Sequence, residues 1–219
     1  MALYVLAQRL ASVGARIINI NTDGVAYTLV GDEDEKIAKE WEKEFNLRLS
    51  TDYFKKWIQK DVNNYIAITD DDKVKVKGAD VNKYHESKYF ANNDIRITHM
   101  ALVDYLLYDK PIYDTLLENL DKPILYQYVL KAGNTYKGVA YKSKPEELLT
   151  TTVNRVFASK QGDEIVKIRQ DDGIVKFADT PNQMHLYNDD LKDFDNFKEI
   201  IDLQWYYDLI NKNLKRWRV

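Results

Sequence analysis

The stretch from Ala15 to Val30, ARIINI-NTDG-VAYTLV, constrains this chain more than any other. Two apolar, β-branched runs flank Asn21-Thr22-Asp23-Gly24, and Val25, Tyr27 and Leu29 alternate with the strand period. Asn, Asp and Gly tolerate the backbone angles that tight turns need, so the segment reads as a β-hairpin. Its tip carries Asp23 between flanks that look buried. A carboxylate on a rigid hairpin can meet a divalent cation without the ordering entropy of a mobile loop. The plainer alternative is a tip that is only a turn.

The rest of the chain has the makings of a large core. At 219 residues with 45% hydrophobic and 31% charged residues, it has the composition of a soluble globular protein with room for one large or two small domains. No apolar run is long enough to cross a bilayer, and MALYVLAQRLASVG lacks the pattern of a signal peptide, so no membrane partner is expected. With no cysteine there is neither disulfide nor thiolate chemistry, which suits a cytoplasmic protein, in host cytoplasm if viral. His85, His99 and His185 lie too far apart for zinc-ligand spacing. The net charge of −3 gives no bulk attraction to nucleic acid, so any DNA contact needs a local basic surface. The 16 tyrosines are first of all core or interface residues.

Taken in order, residues 2–13 read as a helix with Leu3, Leu6, Leu10 and Val13 on one face and Gly14 as its stop. After the hairpin, Gly31-Asp32-Glu33-Asp34-Glu35 opens a helix carrying Ile37, Trp41 and Phe45; its acidic first turn suits the helix dipole and a solvated face. A short strand is expected over Leu47 to Ser50, then an aromatic run, Tyr53 to Ile58, and a segment from Lys60 to Ile68 that ends in an Asp70-Asp71-Asp72 turn. In Lys73-Val74-Lys75-Val76-Lys77-Gly78 the strand period puts the valines on one face and the lysines on the other. That row is either an edge protected by lysine or a line of cations tracking phosphates.

Asp80 to Asn93 reads as loop. Helices are expected over Thr98 to Tyr108 and from Pro111 to Leu120, with Pro123 as a breaker. Residues 124–150 have no clear period. Val153 to Ala158, Glu164 to Ile168 and Ile174 to Ala178 read as a β-meander turning at Gln161-Gly162 and Asp172-Gly173. Phe197 to Leu214 reads as one amphipathic helix ending in Lys215-Arg216-Trp217-Arg218.

Ile20-Asn21-Thr22-Asp23-Gly24 resembles the C motif of family B DNA polymerases, a hairpin usually spelled Tyr-Gly-Asp-Thr-Asp-Ser. The motif's second Asp, a catalytic metal ligand, falls on Asp23; the first falls on Asn21 and the Ser on Gly24. Endings in Thr-Asp-Gly resemble phage-type members. Downstream, Val62-Asn63-Asn64-Tyr65 stands where the family has a lysine-tyrosine motif at the primer end. Tyr65 matches the tyrosine, while Asn63 and Asn64 replace the lysines. Lys73 to Gly78 resembles the following strand with its basic residue and Gly, which makes Lys75 and Lys77 candidate backbone contacts. Asn154-Arg155-Val156-Phe157 with Lys167 resembles a segment near the C-terminus of phage-type members.

The resemblance implies an α+β chain: residues 1–78 as the C-terminal part of a palm, with a hairpin sheet and packed helices, and 79–219 as a mostly helical thumb with a small β-meander. It implies two Mg2+ ions, primer-template DNA and dNTP. In such a site two divalent ions activate the primer hydroxyl and neutralise the triphosphate, bridged by two carboxylates. Here only Asp23 is present, because the family's A and B motifs, and its exonuclease motifs, occur nowhere in the chain. The second carboxylate would come from a partner, an N-terminal polymerase polypeptide carrying motifs A and B. The initial Met just before a helix favours such a split subunit; a fragment of a longer polymerase or an inactive remnant also fits. Outside catalysis, the alternatives are a DNA-binding or scaffolding accessory that uses no metal, and a protein with no nucleic-acid role. No G-x-S-x-G elbow, P-loop or dinucleotide fingerprint points to another chemistry.

Overall fold

The computed structural model describes residues 2–85, 94–188 and 196–217. Residues 86–93 of the expected loop and Arg218 of the basic tail lie outside them. The chain divides into two compact units, Met1–Lys75 and Val76–Val219. The fold is mixed α+β, built from small antiparallel sheets and helices, as the sequence led us to expect.

In the first unit, α1 (Ala2–Ser12) buries Leu6, Ala7 and Leu10. Val13, assigned above to that buried face, is exposed, because the helix has already ended. Gly14 takes φ 100°, a left-handed value that glycine adopts without steric cost, and turns the chain into the hairpin. Strands β1 (Ile17–Ile20) and β2 (Val25–Tyr27) pair antiparallel, with Asn19 opposite Ala26 and Ile20 opposite Val25.

Helix α2 (Asp32–Phe45) packs Ile37 and Trp41 against Leu6, Leu10 and Ala15. The Trp41 indole donates to the Ala2 carbonyl at 2.8 Å, joining the two helices. Of the acidic first turn, Asp32, Glu33 and Glu35 are exposed. Asp34 is buried instead and accepts the Val30 N–H at 3.0 Å. Residues 47–50 form no strand: Leu47 is exposed, and the Leu49 N–H is taken by the Glu42 side chain at 2.6 Å rather than by a neighbouring strand. Strands β3 (Phe54–Asp61), β4 (Asn64–Thr69) and β5 (Val74–Lys77) form a three-stranded sheet, and the division between units falls within β5.

The second unit opens its helical part with α3 (Arg96–Tyr108) and α4 (Ile112–Glu118), near the expected bounds. The featureless region 124–150 holds a 3-10 turn at Pro123–Leu125 and two strands, β6 (Tyr128–Lys131) and β7 (Tyr136–Tyr141). The expected meander is rearranged. Strand β8 (Val153–Asp163) pairs with β6 and β11 (Met184–Leu186), while β9 (Ile165–Arg169) pairs with β7 and β10 (Ile174–Lys176). Consecutive strands β8 and β9 thus lie in different sheets, and Gln161-Gly162 is no turn but part of β8.

The expected C-terminal helix is two, α5 (Phe197–Ile200) and α6 (Leu203–Leu214). Ile201 is extended and bridges Ser159, and the Asp202 carboxylate caps the new helix by accepting the Trp205 N–H at 3.1 Å. Tyr206 is fully buried; its hydroxyl donates to the Tyr126 carbonyl at 2.7 Å and accepts the Ala158 N–H at 3.0 Å. Satisfied on both sides, that phenol costs the core little, and burial pushes its ionisation well up.

Candidate active-site hairpin

Asp23 stands at the exposed tip of the β1–β2 hairpin. Asn21 shapes that tip: its side-chain oxygen accepts the N–H of Asp23 at 2.9 Å and of Gly24 at 2.8 Å. Its own N–H bonds the Gly24 carbonyl at 3.0 Å. An Asx turn of this kind fixes the backbone locally, so Asn21 spends its side chain on geometry and leaves Asp23 to present charge. The Asp23 carboxylate has no ion pair or hydrogen bond among the described residues. Behind the tip, Tyr27 is half-buried; burial, then Asp34 and Tyr53, push its phenol up.

The β3–β4 hairpin is fastened to this one. The Asn19 amide donates to the Val62 carbonyl at 3.2 Å, and the Gln59 amide donates to the Ile18 carbonyl at 2.9 Å. Val62 and Asn63 form the β3–β4 turn, so the structure brings the turn that precedes Asn64 and Tyr65 beside β1, the strand that leads into the Asp23 tip. Within that turn, Asp61 accepts the Asn63 N–H at 2.9 Å and the Asn64 amide at 2.8 Å. The Asn64 amide, then the Asn63 N–H, hold the Asp61 carboxyl below its ordinary value. Asn64 is therefore occupied, whereas the Asn63 side chain is exposed. Tyr65 stacks on Trp57, ring centroids 4.4 Å apart and planes 18° off parallel. The two sit diagonally across β3 and β4, a spacing that aromatic rings span. The Tyr65 hydroxyl makes no hydrogen bond among the described residues.

The alternation of β5 is as expected, Val74 and Val76 half-buried and Lys73, Lys75 and Lys77 exposed. Two of the three cations are already engaged. Lys73 pairs with Asp71 at 2.6 Å; that lysine, with the Thr69 hydroxyl, brings the Asp71 carboxyl down to about 2. Lys75 pairs with Asp52 at 2.8 Å and lies 5.4 Å from the Phe54 ring centre. Lys77 has no such partner among the described residues.

Among the described residues, no cluster of three or more His, Asp or Glu could hold a metal ion. One unpaired carboxylate is a donor of the type a hard cation takes, and alone it does not make a metal site. Sequence reading singled out Asp23 and Tyr65 but missed Asn19, Gln59 and Trp57. An Asn inside the apolar run Ile17-Ile18-Asn19-Ile20 was the available signal, since a buried amide has to find a partner.

No protein-family model matches the sequence, and no curated protein matches it. A solved structure does: the family B DNA polymerase from the hyperthermophilic archaeon Pyrobaculum calidifontis, with a TM-score of 0.56 at 10% identity. This chain has a polymerase-like fold. The match covers 98% of it and 28% of that polymerase's chain. At this identity the likeness is one of fold. No helix among the described residues is long and apolar enough to cross a membrane.

Proposed function

We propose that this chain is the palm-thumb part of a DNA-templated DNA polymerase of phage type, acting as a subunit with a second polypeptide. The observation that carries the reading is the unpaired Asp23 carboxylate on a braced hairpin, in a chain with a polymerase-like fold. Asp23 is one carboxylate of a two-Mg2+ site, and the partner's motif A supplies the other. When bound, the ions activate the primer 3′ hydroxyl and neutralise the triphosphate and its leaving oxygen. This chain's own residues position: Asn21, Thr22 and Gly24 shape the tip, and Asn63, Asn64 and Tyr65 lie near the primer terminus. Lys75 and Lys77 contact the DNA backbone.

The test is primer extension with magnesium on material from the native source, pulled down through this chain, beside Asp23→Asn. Asp23→Asn removes a charged metal ligand but keeps the shape, so it should abolish nucleotide addition while DNA affinity holds or rises slightly. Loss of DNA binding or of the fold in that variant counts against the role given to Asp23. A chain that binds primer-template yet supports no extension with any co-purified polypeptide is the non-catalytic accessory, and Asp23 is then a turn residue.

A further inference from the structure

The brace behind the Asp23 hairpin has an unusual construction. In β1, Ile17 faces Tyr27 and Asn19 faces Ala26, so Ile18 is the extra residue of a bulge. A bulge bends its strand and displaces a residue from the ladder, and here the Ile18 carbonyl is met by a side chain, Gln59. The same Gln59 amide accepts the Trp57 indole N–H at 3.0 Å through its oxygen. Gln59 is also the cross-strand partner of Tyr65, which stacks on Trp57. One amide therefore holds the bulge with its donor end and the aromatic pair with its acceptor end. Asn19, the next residue along β1 and 7% exposed, ties back to Val62 in the opposite direction.

We propose that Gln59 is a positioning residue that couples the Trp57–Tyr65 stack to the bulge of β1, and so fixes where the Asp23 tip stands relative to the Tyr65 ring. Asn19 is the second anchor of the same coupling. What this means for catalysis rests on the polymerase reading above; the coupling itself does not. A side chain that only filled space would be replaced by methionine with little effect on the tip. Under the coupling, the two ends of the amide are separable. Gln59→Met keeps the length and loses both bonds. Gln59→Glu keeps an acceptor for the Trp57 indole and loses the donor to Ile18.

The experiment is hydrogen exchange by NMR on the full chain, reading the Trp57 indole N–H and the Asn21 backbone N–H that closes the tip, with α2 amides as the control for stability of the same unit. In Gln59→Glu the tip amide should exchange roughly three- to ten-fold faster, the factor one hydrogen bond contributes, with the indole unchanged. In Gln59→Met both should speed up. With a partner polypeptide that supports primer extension, both variants should lower kcat while primer-template affinity stays near wild type. A tip amide in Gln59→Glu that exchanges as in wild type overturns the coupling, and Gln59→Glu decides it even if Gln59→Met fails to fold. Unchanged kcat beside a loosened tip overturns the positioning role. Absence of extension by wild type counts against the polymerase reading alone, because exchange needs no activity.

Discussion

The side-chain oxygen of Asn21 accepts the backbone N–H of Asp23 at 2.9 Å, so an uncharged side chain organises the backbone that presents the carboxylate. The same oxygen also takes the Gly24 N–H. Asn21→Ala removes both bonds and should lower stability by about 1–2 kcal/mol, at about 1 kcal/mol for each bond in a partly exposed turn. Asn21→Asp keeps the acceptor and should stay close to wild type. Urea denaturation of the three proteins measures this. A loss in Asn21→Asp as large as in Asn21→Ala would mean that the turn does not depend on the acceptor.

If the chain grips primer-template as proposed, the β5 lysines should not contribute equally. Asp52 already neutralises Lys75, while Lys77 has no carboxylate partner among the described residues. Each cation that displaces counterions from DNA adds close to one unit to the salt dependence of binding. Lys77→Ala should therefore lower the slope of log Kd against log salt by about 1, and Lys75→Ala by less. Fluorescence anisotropy with labelled primer-template over a salt series gives both slopes. If neither variant changes its slope, β5 is an edge strand protected by lysine.

Gly162 is the residue that allows β8 to run through what the sequence presents as a turn. It has φ 108°, and a Cβ there would overlap the Met184 carbonyl oxygen of the neighbouring strand. Gly162→Ala combines a left-handed backbone with a collision against main chain, and backbone strain of this kind alone costs about 1–3 kcal/mol. The thermal midpoint should drop by several degrees. Gly133→Ala, at a glycine where a Cβ meets nothing within 4 Å, is the control and should change little. Equal behaviour of the two variants would remove Gly162 from β8.

How much could be read beforehand followed from how local the cause was. The β1–β2 hairpin and the start of α2 rest on neighbours in sequence, and both formed, although β2 ends at Tyr27 with Leu29 exposed and Asp34 of the acidic turn is buried. Strand β6 gave no signal because Tyr128, Val129 and Leu130 are all buried; with both faces covered, the period of two disappears. Gln161-Gly162 misled because a positive-φ glycine serves a bent strand as well as a turn. The break between α5 and α6 was legible in Asp202, a good cap, but its cause also includes the pairing of Ile201 with the distant Ser159. At the site, Asp23 sits in a recognisable local pattern. Gln59 does not, since its bond to Ile18 joins residues far apart in sequence and leaves no periodic trace.

Glu164 gives the second unit a defined acid sensitivity. Its side chain is buried, paired with Lys142 at 2.6 Å and with Lys176 at 2.9 Å. The Lys142 ammonium, which donates to the carboxylate, and then the paired Lys176 ammonium hold the carboxyl below its ordinary value of 4.5. A folded value lower than the unfolded one means that the stabilisation is fully present above pH 4.5 and is lost as pH falls through the folded value. Wild type should therefore melt at progressively lower temperature as pH drops from about 5 to about 3, by more than other carboxylates alone would cause. Glu164→Gln cannot ionise: it should be less stable than wild type at neutral pH, with the gap closing in acid as protonation takes from wild type what the substitution has already removed. Thermal melts of both proteins across that range check the sign. A gap that stays constant with pH would show that Glu164 stabilises through packing and not through its charge.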